Sequence, residues 1–449
     1  MKHYLIFILS LSLLALQSLQ AQKKWNLDEC IAYALEHNLQ LNDFDLTEDS
    51  NKETYRQSVR ELLPTVNGAT NYNINYGRSV DPDDNSFINT DFFSNNYSIG
   101  ASVDLFRGFQ KMNAIKASKF LYLAAQEDLV QQKYLLAFRV MSAYYDIHFF
   151  QGMVTNSKEQ LGISEANYAL VEKQVELGLK AGADLYEAES LLLTDQLTLT
   201  QNENALETAV LVLSREMNLT DTADLELTPY LETAQKLDTV QNLDKEDVFE
   251  TAMGFVPMIQ AQKHRLAAAK KSLAQARGSL SPTLALNAGW QTGYFETRTD
   301  SETGEVLPFK NQFKDNANSY VGASLNIPIS NRWSRRSQVK QQKIALERAK
   351  NQMDVQEQEL YNIVQKLVQD HRSFSDQLAQ SYKQMESQEL AFTIAQKRYE
   401  KGLINALELT QAKNLFANAQ NENLQVRLRK IVNQSTLDFY RGVSELNIN

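Results

Sequence analysis

Two periodicities alternate along this chain, and each occurs twice. From Thr65 to Gly77 one side of the chain carries Val66, Gly68, Thr70, Tyr72, Ile74 and Tyr76, and the other carries Asn67, Ala69, Asn71, Asn73 and Asn75. A period of two is the mark of a β-strand with unlike faces. Tyr97 to Leu105 repeats it, with Tyr97, Ile99, Ala101, Val103 and Leu105 opposed to Ser98, Gly100, Ser102 and Asp104. The pattern returns with Leu284, Leu286, Ala288, Trp290, Thr292 and Tyr294 against Ala285, Asn287, Gly289, Gln291 and Gly293. It returns again with Val321, Ala323, Leu325 and Ile327 against Tyr320, Gly322, Ser324 and Asn326.

After each second strand the period lengthens to that of a helix. From about Arg107 to Leu177 there is no proline, and from about Asn331 to Lys401 there is neither proline nor glycine. At 1.5 Å per residue, about 70 residues make a rod of roughly 100 Å. A 4-3 spacing runs through Leu360, Val364, Leu367, His371, Phe374, Leu378, Ser381, Met385, Gln388, Phe392, Ala395 and Tyr399, interrupted by three polar residues. Such a seam packs helix against helix. Leu185, Ala188, Leu192, Asp195, Leu199, Asn202, Leu206, Ala209 and Leu213 keep the same spacing. Each half thus predicts a long helix, a tight turn and an antiparallel helix. A short helix through Leu27, Ile31 and Leu35 opens the mature chain, and Asn218 to Glu250, with Pro229 and scattered acids, predicts a belt across the helices.

The order of elements is the same in both halves, and short motifs recur with it. Leu63-Pro64-Thr65 returns as Ser281-Pro282-Thr283, Ser98 to Asp104 returns as Tyr320 to Asn326, and Leu177-Gly178-Leu179 returns as Lys401-Gly402-Leu403, at offsets of 218, 222 and 224 residues. That is far beyond a solenoid unit of roughly 20–50 residues. It reads as a duplicated half-molecule. The expected boundaries are a signal peptide over residues 1–21, a first repeat over 22–217, a linker over 218–250 and a second repeat over 251–449.

The four strands have the length and two-faced character of membrane strands, about 9–11 residues each. Tyr72, Tyr76, Trp290, Tyr294 and Phe295 gather at strand ends, as an interfacial girdle requires. The loops between paired strands, roughly Arg78 to Asn95 and Glu296 to Asn318, are long and polar. Unpaired backbone groups cost several kcal/mol each in lipid, and about eight strands is the practical minimum for closure. Four strands in a membrane therefore imply a barrel shared by several chains, without choosing among dimer, trimer and tetramer. A soluble sandwich is the competing reading of the strands, and a coiled-coil scaffold that of the helices. A scaffold has no use for paired amphipathic strands at matching places in both halves.

Composition narrows the chemistry. The chain has 449 residues with only 7 Pro and 16 Gly, a mean hydropathy of −0.41 and a formal charge of −10 without a basic block. Nucleic acid is not expected as a partner. The single cysteine, Cys30, has no intramolecular disulfide partner and reads as a buried structural thiol. The five histidines, His3, His37, His148, His264 and His371, are scattered, and no metal-ligand spacing, phosphate loop or nucleophile motif is present. An enzyme is not indicated, and neither a metal nor a cofactor is expected. Lys2-His3, the apolar run Tyr4 to Leu16 and Gln17 to Ala21 read as an export signal. The apolar run is too short for a membrane span of about 20 residues.

Taken together, Leu63-Pro64-Thr65 and Ser281-Pro282-Thr283, the Gly-Ala-Ser strands, and the turns Val175-Glu176-Leu177-Gly178-Leu179 and Tyr399-Glu400-Lys401-Gly402-Leu403 resemble the TolC-type outer membrane efflux proteins. The likeness spans essentially the whole mature chain. It implies a mixed α and β fold: a long antiparallel coiled-coil barrel of helices continuous with a transmembrane β-barrel of four strands per chain, closed by trimerisation. It implies a passive exit duct of a tripartite efflux or type I secretion system in the outer membrane of a Gram-negative bacterium, reaching into the periplasm. The implied partners are two further copies of the chain, outer-membrane lipid, a periplasmic adaptor and an inner-membrane transporter. The alternative is that the chain is itself a periplasmic coiled-coil adaptor or scaffold. By motif position, the family's periplasmic constriction falls at Asp184, Glu187, Tyr399 and Glu408, and its adaptor-docking turns at Gly178, Leu179, Gly402 and Leu403. Gln411 stands where the family can carry a second acid and Ile404 where a basic gate residue can occur, so the gating network does not transfer whole. Helix capping is an equally direct role for Asp184 and Glu408, each at a helix start.

Overall fold

The computed structural model describes residues 24–80, 85–89, 91–220, 225–228, 243–300 and 302–443. The signal peptide and part of the linker lie outside the described residues. The fold is mixed and mostly helical. The chain divides into two units.

One unit comprises Thr47–Gln126 and Ala261–Asp354. It holds a four-stranded antiparallel sheet of β2 (Thr65–Asn75), β5 (Phe92–Arg107), β7 (Thr283–Phe295) and β8 (Asn318–Asn326), in the order β2-β5-β7-β8. All four expected strands are present, and β5–β7 joins the first half of the chain to the second. Opposed residues in an antiparallel pair share a face, so register decides whether four two-faced strands make one two-faced sheet. Ile99 lies opposite both Gly68 and Trp290, Ala101 opposite Val66 and Ala288, and Ala288 opposite Val321. On the other side Gly100 lies opposite Asn67 and Gly289, and Asn287 opposite Ser102 and Gly322. The four apolar faces therefore coincide. They are not packed as a soluble core: Val66 is 65 % and Val321 78 % exposed.

Three details go beyond the sequence reading. The strict alternation ends early: the register slips between Asp104 and Phe106, so Leu105 is the extra residue of a bulge and Phe106 takes the place opposite Leu284. Phe295 lies opposite Ser94, on the polar side rather than with Tyr294. The loops are not featureless. The first carries the small hairpin β3 (Arg78–Val80) with β4 (Phe87–Asn89). The second carries helix α7 (Phe309–Asp315), whose Phe309 and Phe313 meet Tyr97, Trp290 and Tyr294. Buried Gln312 ties that helix down, accepting from the Phe295 N–H at 3.0 Å and donating to the Phe295 and Leu307 carbonyls. Part of the expected girdle is thus covered by the chain itself.

Each second strand enters its long helix through two consecutive left-handed residues, Gly108 and Phe109 before α3 (Gln110–Glu176), and Arg332 and Trp333 before α8 (Ser334–Glu400). Gly108 has a further constraint: a Cβ there would lie 2.2 Å from the Gly278 carbonyl at the end of α6 (Pro257–Gly278).

The other unit comprises the described chain up to Leu46, Glu127–Gln260 and the chain from Val355. Its core gathers Cys30, Ile31 and Ala34 of α1 (Leu27–His37) with Leu136, Val140 and Ile147 of α3 and Leu213 and Met217 of α4 (Gly182–Met217). Asn26 caps α1 reciprocally with Glu29, at 2.8 and 3.0 Å. Helix α2 (Leu39–Arg60) follows α1. Of the linker, Glu226–Leu227 (β6) pairs in parallel with Lys24–Trp25 (β1). The helix α5 (Lys245–Phe255) lies against α8 and α9 (Ala406–Tyr440) through Phe249–Tyr361 and Phe255–Phe439 ring contacts.

Candidate functional site

The two hairpin turns are built alike. At the end of α3, Gly178 is left-handed (φ 71°), its N–H bonds the Val175 carbonyl at 2.9 Å, and the Leu179 N–H bonds the Gln174 carbonyl at 2.8 Å. At the end of α8, Gly402 (φ 70°) bonds Tyr399 at 2.8 Å and Leu403 bonds Arg398 at 2.9 Å. These paired bonds close a helix C-terminus in a Schellman motif, which needs a residue without a Cβ penalty at the left-handed position. The motif leaves Leu179 72 % and Leu403 64 % exposed. Both leucines keep most of their surface in solvent, at equivalent places in the two halves.

Past each turn the expected acids start a helix. The Asp184 carboxylate accepts from the Ala181 N–H at 3.1 Å, so it caps α4. Glu408 sits in the first turn of α9, where Asn405 is the cap and accepts from the Glu408 N–H at 2.9 Å. Glu187 is exposed one turn further along α4. Among the described residues, no hydrogen bond or ion pair joins Asp184 or Glu187 to Glu408. Ile404 is half-buried and Gln411 exposed. Tyr399 is drawn to the other turn: the Lys180 ammonium lies 5.6 Å from its ring centroid. Lys180 follows the Gly178-Leu179 pair in sequence, so a cation of the first turn stands beside the aromatic ring at the second. That residue was missed because its partner is on the other hairpin.

Above the turns the helices are joined by polar layers. Asn202 donates to Ser157 at 2.5 Å across α4 and α3, and Asn423 donates to Ser381 at 3.1 Å across α9 and α8. The same clasp occurs in both hairpins. Asn156 donates to Asn421 at 2.7 Å, linking α3 to α9. A third layer unites Ser164, Asp195 and Lys413. Polar seam positions fix register at some expense of stability.

Among the described residues no helix is long and apolar enough to cross a membrane, and no cluster of His, Cys, Asp or Glu is placed to hold a metal. The sequence profile described as "Outer membrane efflux protein" matches residues 30–218 and again 252–443. The chain belongs to that family. This efflux protein is 23 % identical over 419 residues to the toluene efflux pump outer membrane protein TtgF of Pseudomonas putida, covering 91 % of this chain and 81 % of that one. It is 21 % identical over 411 residues to the cation efflux system protein CusC of Escherichia coli O157:H7, covering 91 % and 84 %. The fold is shared with the crystal structure of CusC (TM-score 0.77, 19 % identity, 94 % and 95 % covered). It is shared also with the outer membrane protein VceC of Vibrio cholerae (TM-score 0.75, 14 % identity, 94 % and 97 % covered). The efflux protein is accordingly a channel of the outer membrane that extends into the periplasm, in a family of transporters and not of enzymes.

Proposed function

We propose that three copies of this efflux protein close one twelve-stranded barrel in the outer membrane and continue it as a tunnel of twelve long helices. The observation that carries the shared barrel is the four-stranded sheet itself, and the number three is what the resemblance to the TolC-type proteins implies. Its apolar residues share one face, asparagine, serine and glycine share the other, and β2 and β8 are left as edges. Lipid covers the first face, water fills the space behind the second, and an edge strand in lipid must pair with another chain. The two halves of the chain act as repeats of one unit, covering 22–217 and 251–449 with a linker at 218–250.

The tunnel serves as a passive duct. Its periplasmic turns, Gly178-Leu179 and Gly402-Leu403, seat the helical tips of an adaptor, which joins the duct to an inner-membrane transporter. The exposed leucines supply an apolar contact and the capped glycines a rigid one. Asp184, Glu187 and Glu408 line the narrowing beside those turns, with Tyr399 and Lys180 between the hairpins.

Light scattering of the detergent-purified protein, corrected for bound detergent, tests the assembly. Three chains per particle are expected, together with stable pores in planar bilayers. A water-soluble monomer recovered without detergent overturns the reading.

A further inference from the structure

Charge is unevenly spread where the second half of the chain leaves the sheet. From Ile327 to Leu346 the charged residues are Arg332, Arg335, Arg336, Lys340 and Lys343, without a single acid, in a chain of formal charge −10. The segment that leads into β7, Pro257 to Thr283, likewise carries basic charge and no acid. The first half differs. There Asp104, near the end of β5, holds Arg107 at 3.2 Å and Lys111 at 2.8 Å. Asn326 stands in the place of Asp104 in the second half, so the arginines that follow it lack this counter-charge. Among the described residues neither Arg335 nor Arg336 has a carboxylate within 4 Å.

The same residues border a groove of about 400 Å³, together with Leu280, Pro328, Ile329 and Trp333. The Arg335 guanidinium is fixed there, its Nη1 donating to the Ser279 carbonyl at 2.7 Å. Arg336 lies over the Trp333 ring, with Cζ 4.4 Å from the centroid. The ring is still 68 % and Ile329 95 % exposed. Arg332 and Trp333 both hold left-handed backbone (φ 56° and 65°), which side chains rarely adopt, whereas the first half opens its turn with Gly108. The strained turn presents an indole and a guanidinium together at the surface.

Register shows which face the groove continues. Val321, Ala323 and Leu325 lie on the apolar face of the sheet. The odd-numbered apolar positions run on in sequence past the last pair, Asn326 with Thr283, to Ile327 and Ile329. Ile329 borders the groove. The groove therefore extends the apolar face at the end of the sheet where the helices begin.

We propose that this groove binds an anionic glycerophospholipid of the periplasmic leaflet, with its phosphate at Arg335 and Arg336 and its acyl chains against Ile329 and the apolar face. The proposal rests on the reading above in which that face meets lipid. Indole favours the boundary between hydrocarbon and headgroups. Guanidinium groups meet phosphate oxygens with paired N–H donors. A zwitterionic lipid offers the same phosphate but brings its own cation, which the uncompensated charge of Arg332, Arg335 and Arg336 repels. An anionic lipid brings none, and clustered basic residues beside a membrane select for it. This complementarity commits the groove to lipid. A second copy of the chain is the other candidate to cover Trp333 and Ile329, and the test separates the two.

The full-length protein is reconstituted in phosphatidylcholine vesicles and its tryptophan fluorescence is read. Trp25→Phe with Trp290→Phe leaves Trp333 as the only reporter. A companion protein carries Val321→Trp, on the exposed apolar face, with Trp25→Phe, Trp290→Phe and Trp333→Phe. Brominated phosphatidylglycerol or brominated phosphatidylcholine then replaces the same small fraction of the lipid, and each quenches an indole it touches. The phosphatidylglycerol is expected to quench Trp333 with an apparent affinity at least about fivefold above that of the phosphatidylcholine. Arg335→Gln with Arg336→Gln is expected to abolish the preference. Arg336→Gln alone, which leaves the bond from Arg335 to Ser279 in place, is expected to halve it at least. At position 321 the two lipids are expected to quench alike. Equal quenching of Trp333 by both lipids, or an unchanged preference in Arg336→Gln, overturns the site. So does a Trp333 that neither lipid quenches while position 321 is quenched, the result expected of a surface covered by another copy. Position 321 unquenched by either lipid overturns the lipid-facing sheet itself, whatever Trp333 reports.

Discussion

Lys413 on α9 forms an ion pair with Asp195 on α4 inside the helical unit, and Ser164 on α3 completes the arrangement. The lysine donates to Ser164 Oγ at 2.8 Å and to the Asp195 carboxylate, to which Ser164 also donates at 2.5 Å. The Lys413 side chain is 3 % and that of Asp195 14 % exposed. Three helices from both hairpins are thus tied at one level.

Removing one charge from the pair should cost more than removing both. Asp195→Asn strands a buried ammonium and is expected to lower stability by about 3–5 kcal/mol. Lys413→Met should cost less, because Asp195 keeps some access to water. The double variant Asp195→Leu with Lys413→Met should recover most of the loss. Thermal unfolding of the four proteins in one detergent checks the order. A double variant as unstable as Asp195→Asn would show that the tie stabilises by more than charge compensation.

Asp195 also marks the limit of what the sequence discloses. Its place in a 4-3 seam was legible, as were the strands, their two faces and the paired turns, because each follows from a short repeating period. Its partner was not legible, because Lys413 lies on another helix and no local pattern pairs residues so far apart. Helix α7 escaped for a related reason. Seven residues hold too few apolar positions to show a period, and Phe309 and Phe313 gain meaning only against Tyr97, Trp290 and Tyr294. The bulge at Leu105 was hidden because alternation alone does not reveal a slipped register. The turn glycines were plain, whereas Lys180 became visible only when the second hairpin stood beside the first.

The turn glycines make a local prediction. Gly178→Ala and Gly402→Ala each place a Cβ on a left-handed residue, at about 1–2 kcal/mol. Nothing lies within 4 Å of either added Cβ, so the effect is backbone strain and not a clash. The last turn of the helix should fray while the melting temperature barely changes. Faster amide exchange at Leu179 or Leu403, whose N–H groups close the motif, is the expected signature.

The acids beside the turns should act on ions in transit. Carboxylates repeated about a threefold axis attract cations. The triple variant Asp184→Asn, Glu187→Gln and Glu408→Gln is expected to lower potassium-over-chloride selectivity severalfold in planar bilayers. Asparagine at position 184 can still accept from the Ala181 N–H, so the cap survives and the change reports charge. Unaltered selectivity and conductance in the triple variant would remove these three residues from the ion path.

Two buried histidines predict loss of stability on acidification. His371 is 5 % and His148 8 % exposed. Burial lowers the pKa of both below the ordinary 6.5; nearby Lys430 adds to the effect at His371, and the bond to Gln151 opposes it at His148. Below pH 6.5 the unfolded chain takes up protons that the folded chain refuses, so stability falls as the pH falls from 6.5 toward the folded values. Above 6.5 both states hold neutral imidazole and the contribution is complete. His148→Gln with His371→Gln should flatten the dependence of the unfolding temperature on pH over that window while leaving the alkaline side unchanged. The same slope in the double variant as in the wild type would assign the acid sensitivity to carboxylates instead.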